Sequence, residues 1–258
     1  RMTQSTEQSI LDTHYMARAI ELARNGLYTT HPNPRVGCVI VRDGQIVGEG
    51  WHVRTGEPHA EVHALRAAGE LARGATAYVT LEPCSHHGHT PPCAEGLISA
   101  GVARVVAAMQ DPNPEVAGRG LKRLADAGIE VRSGVLEADA RALNPGFLKR
   151  MEHGLPFVRV KMAMSLDGRT AMANGESQWI TGPEARSAVQ RLRAQASVVL
   201  TGADTVLADG ARLTVRGPEL GLSPELTALA LSRPPLRVLI DGRLRVPLDA
   251  PFLSLIHI

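Results

Sequence analysis

The residues with the most chemical content lie between His59 and Cys93. They are Pro58-His59-Ala60-Glu61-Val62-His63, then Leu81-Glu82-Pro83-Cys84, then Cys93. The stretch offers an imidazole, a carboxylate two residues later, and two thiols separated by eight residues. A zinc ion that does chemistry takes three protein ligands and keeps a fourth position for water. His59, Cys84 and Cys93 meet that count, and Glu61 is then free to move protons rather than bind metal. Taken singly, a Cys is more often a packed core thiol and a His a surface group; the constellation as a whole outweighs that. His63 reads as the next turn of a helix. His86, His87 and His89 read as substrate-side or solvent groups, and a zinc set that uses one of them stays open.

These groups need elements to bring them together. Residues 62–72 carry small, apolar and charged residues at helical period, which puts His59 and Glu61 in the first turn of a helix, with Pro58 just before it. Residues 75–81 read as a buried strand ended by Pro83. Residues 93–100 read as a second helix, closed by Gly101. Helix N-termini favour thiolate over thiol, so two helix starts aimed at one spot make a metal pocket. The order H-x-E, then P-C and a second Cys, is the signature of zinc deaminases, in which zinc activates water and the Glu is the general acid/base.

Before this stretch, residues 13–24 form an amphipathic helix with Met16, Ala19, Ile20 and Ala23 as its stripe and Gly26 as its stop. The loop His31-Pro32-Asn33-Pro34-Arg35 follows, with Asn33 as its chief polar group. Residues 36–41 and 45–51 are strands joined through Asp43-Gly44, a strong hairpin signal. Cys38 sits in the first of them as a core residue. After the site come a strand at 103–109, a helix at 118–127, a strand at 129–133, and a largely helical 137–152 interrupted at Asn144-Pro145-Gly146. A hairpin followed by alternating strands and helices is an α/β layer architecture with a mixed sheet.

The pattern restarts at His153-Gly154-Leu155-Pro156, so we divide the chain into residues 1–153 and 154–258. The second part reads as a strand at 157–165, a turn at 166–168, a helix at 183–195, strands at 197–202 and 237–240, and a polar surface segment over 213–235. No G-x-G-x-x-G or P-loop occurs, so a nucleotide cofactor there would bind without the Rossmann fingerprint. Three clear strands are few for an independent core. The last six residues, Leu-Ser-Leu-Ile-His-Ile, read as the translation of a sequencing-library adapter, and the expectation is a truncated chain.

Composition bounds the rest. The chain has 258 residues, 44% hydrophobic and 21% charged, as expected of a soluble globular protein. A net charge of +2 is too mild to argue for nucleic acid, and 3% aromatics argue against base-stacking platforms. No apolar run has the length of a membrane helix, and the polar residues 1–12 show no signal peptide. Three cysteines, two of them given to metal, indicate a reducing compartment and hence the cytoplasm.

Long runs of the chain resemble the bifunctional deaminase–reductase family of riboflavin biosynthesis. They are THPNPRVGCVIV, GEPHAEVHAL, GATAYVTLEPCSHHGHTPPC, MQDPNPEVAGRGL, NPGFLKR, SLDGRTAMANGESQWITG and RAQASVVLTGADTVLADG. The spacing in PCSHHGHTPPC is specific, because most other zinc deaminases place two residues between the cysteines. The rival reading of a tRNA-editing deaminase predicts that short gap, a basic patch and no second domain. A second rival is a purely structural zinc module with a fourth ligand among His86, His87 and His89, which would leave Glu61 without a task.

The resemblance implies a cytidine-deaminase-like three-layer domain followed by an incomplete dihydrofolate-reductase-like α/β domain. It implies zinc-dependent deamination of 2,5-diamino-6-hydroxy-4-(5-phosphoribosylamino)pyrimidine. NADPH-dependent reduction of the ribosyl group of 5-amino-6-(5-phosphoribosylamino)uracil to ribityl would follow. Carried over by position, zinc falls to His59, Cys84 and Cys93, proton transfer to Glu61, and the pyrimidine to Asn33. Cofactor contacts fall on Ala163, Trp179, Thr205, Asp209 and Gly242, and substrate contacts on Ser177, Arg193, Leu213 and Arg216, with Lys161 near the ribose. Two arginines suit a sugar phosphate. One departure stands out: Asp209-Gly210-Ala211-Arg212 replaces a family pattern of Asp-(Asp/Asn)-Pro, which loosens that loop and adds charge beside the expected phosphate. The family's glycine-rich cofactor segment has no counterpart in the chain, so the expectation is a competent deaminase joined to an incomplete reductase. A homo-oligomer acting on small molecules, away from nucleic acid and membrane, completes these expectations.

Overall fold

The computed structural model describes residues 4–85, 92–114 and 116–253. His86, His87 and His89, and residues 254–258 of the ending, lie outside the described residues. Contacts within the chain divide it into two compact units, 1–158 and 159–258.

The first unit is built on the hairpin of β1 (Gly37–Arg42) and β2 (Gln45–Trp51). Asp43 and Gly44 turn it with φ of 50° and 75°, the paired positive values that a tight primed turn requires. β1 then pairs antiparallel with β3 (Thr76–Val79). β4 (Arg104–Ala107) and β5 (Glu130–Ser133) follow in parallel, giving a mixed sheet of order β2-β1-β3-β4-β5.

The period of two along the strands sorts side chains between two faces. On one face Val39, Val41, Tyr78 and Val106 pack against Met16, Ala19, Ile20 and Ala23 of α1 (Gln4–Ala23). The same cluster takes Ala140 and Leu143 of α5 (Glu137–Leu143) and Leu148 of α6 (Pro145–His153). On the other face Cys38, Ile40, Ala77, Val79 and Val105 pack against α2 (Ala60–Ala68), α3 (Cys93–Ala100) and α4 (Arg119–Asp126). The result is the three-layer arrangement, helices on both faces of a mixed sheet, that the sequence predicts. Asn144 separates α5 from α6 at the expected break, and Cys38 is fully buried in the core.

α1 is longer than its apolar stripe suggests, starting nine residues earlier at Gln4 rather than residue 13. One reason is Asp12, which is completely buried yet charged. It accepts hydrogen bonds from Arg104 at 2.7 and 2.9 Å, Arg132 at 2.7 Å and Tyr78 at 2.9 Å. Burial pushes its carboxyl up, but the bonds from Arg104, Gln8 and Tyr78 outweigh it and hold the pKa down at about 2.

α2 lies unusually close to β2. A Cβ on Gly48 would come 2.2 Å from the Ala64 carbonyl oxygen, and one on Gly50 would come 2.5 Å from that of Ala60. Only glycine permits this approach, and it fixes the height of the first turn of α2, where the candidate site begins.

The second unit holds α7 (Pro183–Gln195), β6 (Val198–Gly202), α8 (Ala203–Asp209), α9 (Pro224–Ser232) and β7 (Leu236–Ile240). β6 and β7 run parallel, with Val198 beside Leu236 and Gly202 beside Ile240. A small core of Ala203, Val206, Val246, Ala250 and Phe252 packs with Leu213 and Leu239.

One expectation fails here, and two helices are present that the sequence reading did not assign. The strand expected over 157–165 is absent: among the described residues no strand pairs with it, and Val158, Val160, Met162 and Met164 are exposed. An alternating pattern becomes a strand only where a neighbour accepts its backbone hydrogen bonds. The segment 213–235, read as a polar surface segment with no element assigned, contains α9, whose Ser223 hydroxyl accepts from the Leu226 amide at 3.3 Å just before Pro224. That N-cap and Pro pair is a legible start signal. α8 was also not anticipated; seven residues are too few for periodicity to show.

Candidate metal centre and cleft

His59 is the residue that caps α2, in extended backbone geometry, and Glu61 lies in the first turn behind it. Cys93 opens α3, and Cys84 follows β3 across Pro83. The Ala94 amide donates to the Cys84 carbonyl oxygen at 3.1 Å, and the Cys93 amide to Cys84 Sγ at 3.3 Å. Two short backbone bonds thus tie Cys84 to the start of α3.

The donor atoms of His59, Cys84 and Cys93 all lie within 4.8 Å of one another. His59 Nδ1 is 3.3 Å from Cys93 Sγ and 3.7 Å from Cys84 Sγ. Tetrahedral zinc with ordinary Zn–S and Zn–N bonds sets such N···S separations at about 3.6 Å. The donor set and spacing therefore fit zinc, and among the described residues no fourth ligand joins the group.

The thiols are not equivalent. Cys84 is pulled down to about 4, chiefly by the hydrogen bond from Cys93, with the Cys93 amide and His59 helping against burial. Cys93 is pushed up by the same pairing with Cys84 and by burial. The helix start expected to favour a thiolate thus serves Cys84, because the first amide of α3 points at Cys84 Sγ. His59 is raised by its bond to Cys84. Metal displaces both thiol protons when it binds.

Glu61 is 3% exposed, and its Oε2 has no hydrogen-bond partner. Burial pushes its carboxyl up, His59 pulls it down, and Cys84 raises it again. It shares a cavity of about 360 Å³ with His59, Cys84, Asn33, His52, Glu82, Asp111 and Asn113. Asn33 thus lines the same cleft as His59 and Cys84. His63 has no place among the metal-binding group.

Sequence reasoning missed four polar groups of this cleft: His52, Glu82, Asp111 and Asn113. His52 is 3% exposed. Its Nδ1 donates to the Pro58 carbonyl oxygen at 3.2 Å, and its ring stands edge-on to His59, centroids 5.4 Å apart. Its Nε2 is buried without a partner. Burial pushes the imidazole below its ordinary value, so it is neutral, with Nε2 as an acceptor. The signal available was the His one residue past the end of a glycine-bearing strand.

In the second unit the expected residues are scattered along the chain. Thr205 and Asp209 lie on α8, which leaves the end of β6, and Gly242 follows β7. These three thus fall after the carboxyl ends of two adjacent parallel strands, the usual place for ligands in such sheets. Arg193 donates to the Thr214 carbonyl oxygen at 2.7 Å. Burial and the neighbouring charge of Arg216 both depress its guanidinium, so these two cations stand near each other. Arg216 also pairs with Glu219 at 2.8 Å. Leu213, with φ of 54°, packs against the small core. In the departing loop Gly210 takes φ of 57° as the cap of α8, and the Arg212 carbonyl accepts from Arg237 at 2.9 Å. Trp179 is exposed, with the Arg186 guanidinium 4.5 Å above its ring. Lys161 is exposed, and Ala163 and Ser177 are half-buried.

Residues 9–109 match the family described as the cytidine and deoxycytidylate deaminase zinc-binding region, and residues 156–256 match the RibD C-terminal domain. The riboflavin biosynthesis protein RibD of Escherichia coli (strain K12) is 64% identical over 236 residues, covering 91% of this chain and 64% of that protein. Acinetobacter baumannii RibD, as a solved structure, superposes with a TM-score of 0.87 at 57% identity, over 95% of this chain and 67% of that one. A diaminohydroxyphosphoribosylaminopyrimidine deaminase/5-amino-6-(5-phosphoribosylamino)uracil reductase from Thermotoga maritima does so with 0.81 at 42% identity, over 92% and 64%. The chain thus spans a little under two thirds of the E. coli relative's length. With both domain families matched in order and the His59, Cys84 and Cys93 donor group in the first of them, the chain belongs to the RibD family.

Proposed function

We propose that residues 1–153 hydrolytically deaminate 2,5-diamino-6-hydroxy-4-(5-phosphoribosylamino)pyrimidine. Residues 154–258 serve the NADPH-dependent reduction of the ribosyl group of the product, 5-amino-6-(5-phosphoribosylamino)uracil. The observation that carries this reading is Glu61, buried and unpartnered at Oε2, in a cleft that it shares with His59 and Cys84 of the three-donor group. The Thermotoga relative's name supports the pair of substrates.

Zinc held by His59, Cys84 and Cys93 would bring the pKa of its water toward neutrality. Glu61, whose carboxyl is raised by burial, takes a proton as the water oxygen bonds to the amidine carbon. It passes that proton to the ring nitrogen, then takes the second from the new hydroxyl group and passes it to the departing amine, leaving a carbonyl. The carbon–nitrogen bond breaks and ammonia leaves. Asn33 and His52 line this cavity, and in this reading they orient the pyrimidine by its polar edge. In the second part, Arg193 and Arg216 hold the sugar phosphate, with Lys161, Ser177 and Leu213 on the substrate side. Ala163, Trp179, Thr205, Asp209 and Gly242 serve the cofactor. All three cysteines are free thiols, which fits a reducing compartment such as the cytoplasm. A homo-oligomer belongs to the same reading and rests on the family resemblance.

A purely structural zinc is the competing reading. The Glu61→Ala protein separates the two: we expect it to fold, keep one zinc per chain and lose ammonia release. Unchanged turnover in Glu61→Ala would overturn the assignment of Glu61.

A further inference from the structure

Glu82 sits in the Leu81-Glu82-Pro83-Cys84 stretch, yet neither metal binding nor proton transfer uses it. Glu82 is 3% exposed, and among the described residues no cation meets its carboxylate. It accepts four backbone N–H groups instead. Oε2 accepts from Asp111 at 3.0 Å and Gly118 at 2.9 Å. Oε1 accepts from Gly120 at 2.8 Å and Leu121 at 3.2 Å.

Gly120 and Leu121 are the second and third residues of α4, whose cap position is Gly118, a residue without a side chain. Their amides are the orphan donors of a helix start, which a neighbouring Ser or Asp side chain ordinarily satisfies. Here a carboxylate from the far end of β3 does so. The same carboxylate holds the Asp111 amide, and Asp111 Oδ1 in turn accepts from the Asn113 amide at 2.8 Å. Asp111, Asn113 and Val116 line the same cleft as Glu61, His59 and Cys84, and we refer to them as its wall. The seam closes tightly: a Cβ on Gly120 would lie 1.9 Å from the Pro83 carbonyl oxygen.

We propose that Glu82 is a positioning residue for the deamination: it clamps the wall of Asp111, Asn113 and Val116 to the peptide that carries Cys84. This deepens the deaminase reading and rests on it for its kinetic consequence. The clamp needs both oxygens as acceptors. A Gln there would turn an NH2 group toward one pair of amides and release that side of the wall. Cys84 keeps its own bonds to the start of α3, so the metal group stays intact while the wall shifts. A displacement of about 1 Å in a positioning element costs on the order of 100-fold in rate.

The test compares the full chain with Glu82→Gln and with Gly120→Ala, which opens the same seam from the other side. Zinc content, amide hydrogen exchange and the kcat and KM of ammonia release are measured. We expect both variants to keep one zinc per chain, to lose amide protection over 111–121, and to lose about 100-fold in kcat/KM. A Glu82→Gln protein with wild-type protection at those amides overturns the proposal. So does one that loses zinc in step with activity, since the carboxylate would then support the metal group rather than the wall. If the unmodified chain binds zinc but releases no ammonia, the deaminase reading falls, and zinc content and amide protection still decide the clamp.

Discussion

At the scale of residues, the cleft divides its labour by environment. Glu61 and Glu82 are both 3% exposed, but Glu82 has its oxygens filled by four amides while Glu61 keeps Oε2 open. In the proposed mechanism the filled carboxylate holds structure and the unpartnered one moves protons. We expect Asn33→Ala to lower kcat/KM by about 10- to 100-fold, mostly through KM, as loss of one or two polar contacts does. Steady-state kinetics of ammonia release reads this; an unchanged KM would remove Asn33 from the substrate. Cys93→Ser should abolish stable zinc binding, because the thiolate supplies one of three protein ligands; metal analysis after dialysis is the check. His59, Glu61, Cys84 and Cys93 were legible in the sequence because this chemistry demands fixed residue types at fixed local spacing. His52, Glu82, Asp111 and Asn113 were not, because they reach the cleft from three separate segments and each has an ordinary surface or turn identity by itself.

At the scale of elements, the site depends on how closely helices approach the sheet. Gly50 faces the backbone of α2, so Gly50→Ala should lift α2, destabilise the first unit by about 1–3 kcal/mol and weaken zinc binding. Chemical denaturation with and without metal measures both, and wild-type stability in Gly50→Ala would contradict the packing. The anchor of α1 is electrostatic. The carboxyl of Asp12 is held at about 2 in the fold, below the ordinary carboxylate value. Its bonds therefore contribute stability that is complete above about pH 4 and is lost as pH falls toward 2. Asp12→Asn should lose that part of the acid sensitivity, read from unfolding midpoints across this range. The hairpin, α3 and the α5–α6 break were visible from turn residues and periodicity. The expected strand at 157–165 was not realised, because its alternation says nothing about a partner.

At the scale of the whole molecule, the chain passes from one compact unit to the next along a stretch in which Leu155, Val158 and Val160 are exposed. Limited proteolysis should cut there before it cuts the sheet of the first unit. The N-terminal piece should keep its zinc, and a piece that loses zinc on cleavage would contradict two separately folded units. The most direct test of the proposed activity is ammonia release from 2,5-diamino-6-hydroxy-4-(5-phosphoribosylamino)pyrimidine by this 258-residue chain, with and without a zinc chelator. We expect release that the chelator abolishes and added zinc restores. A folded, zinc-loaded chain that releases no ammonia, or release indifferent to the chelator, would contradict the metal-assisted deamination proposed for His59, Glu61, Cys84 and Cys93.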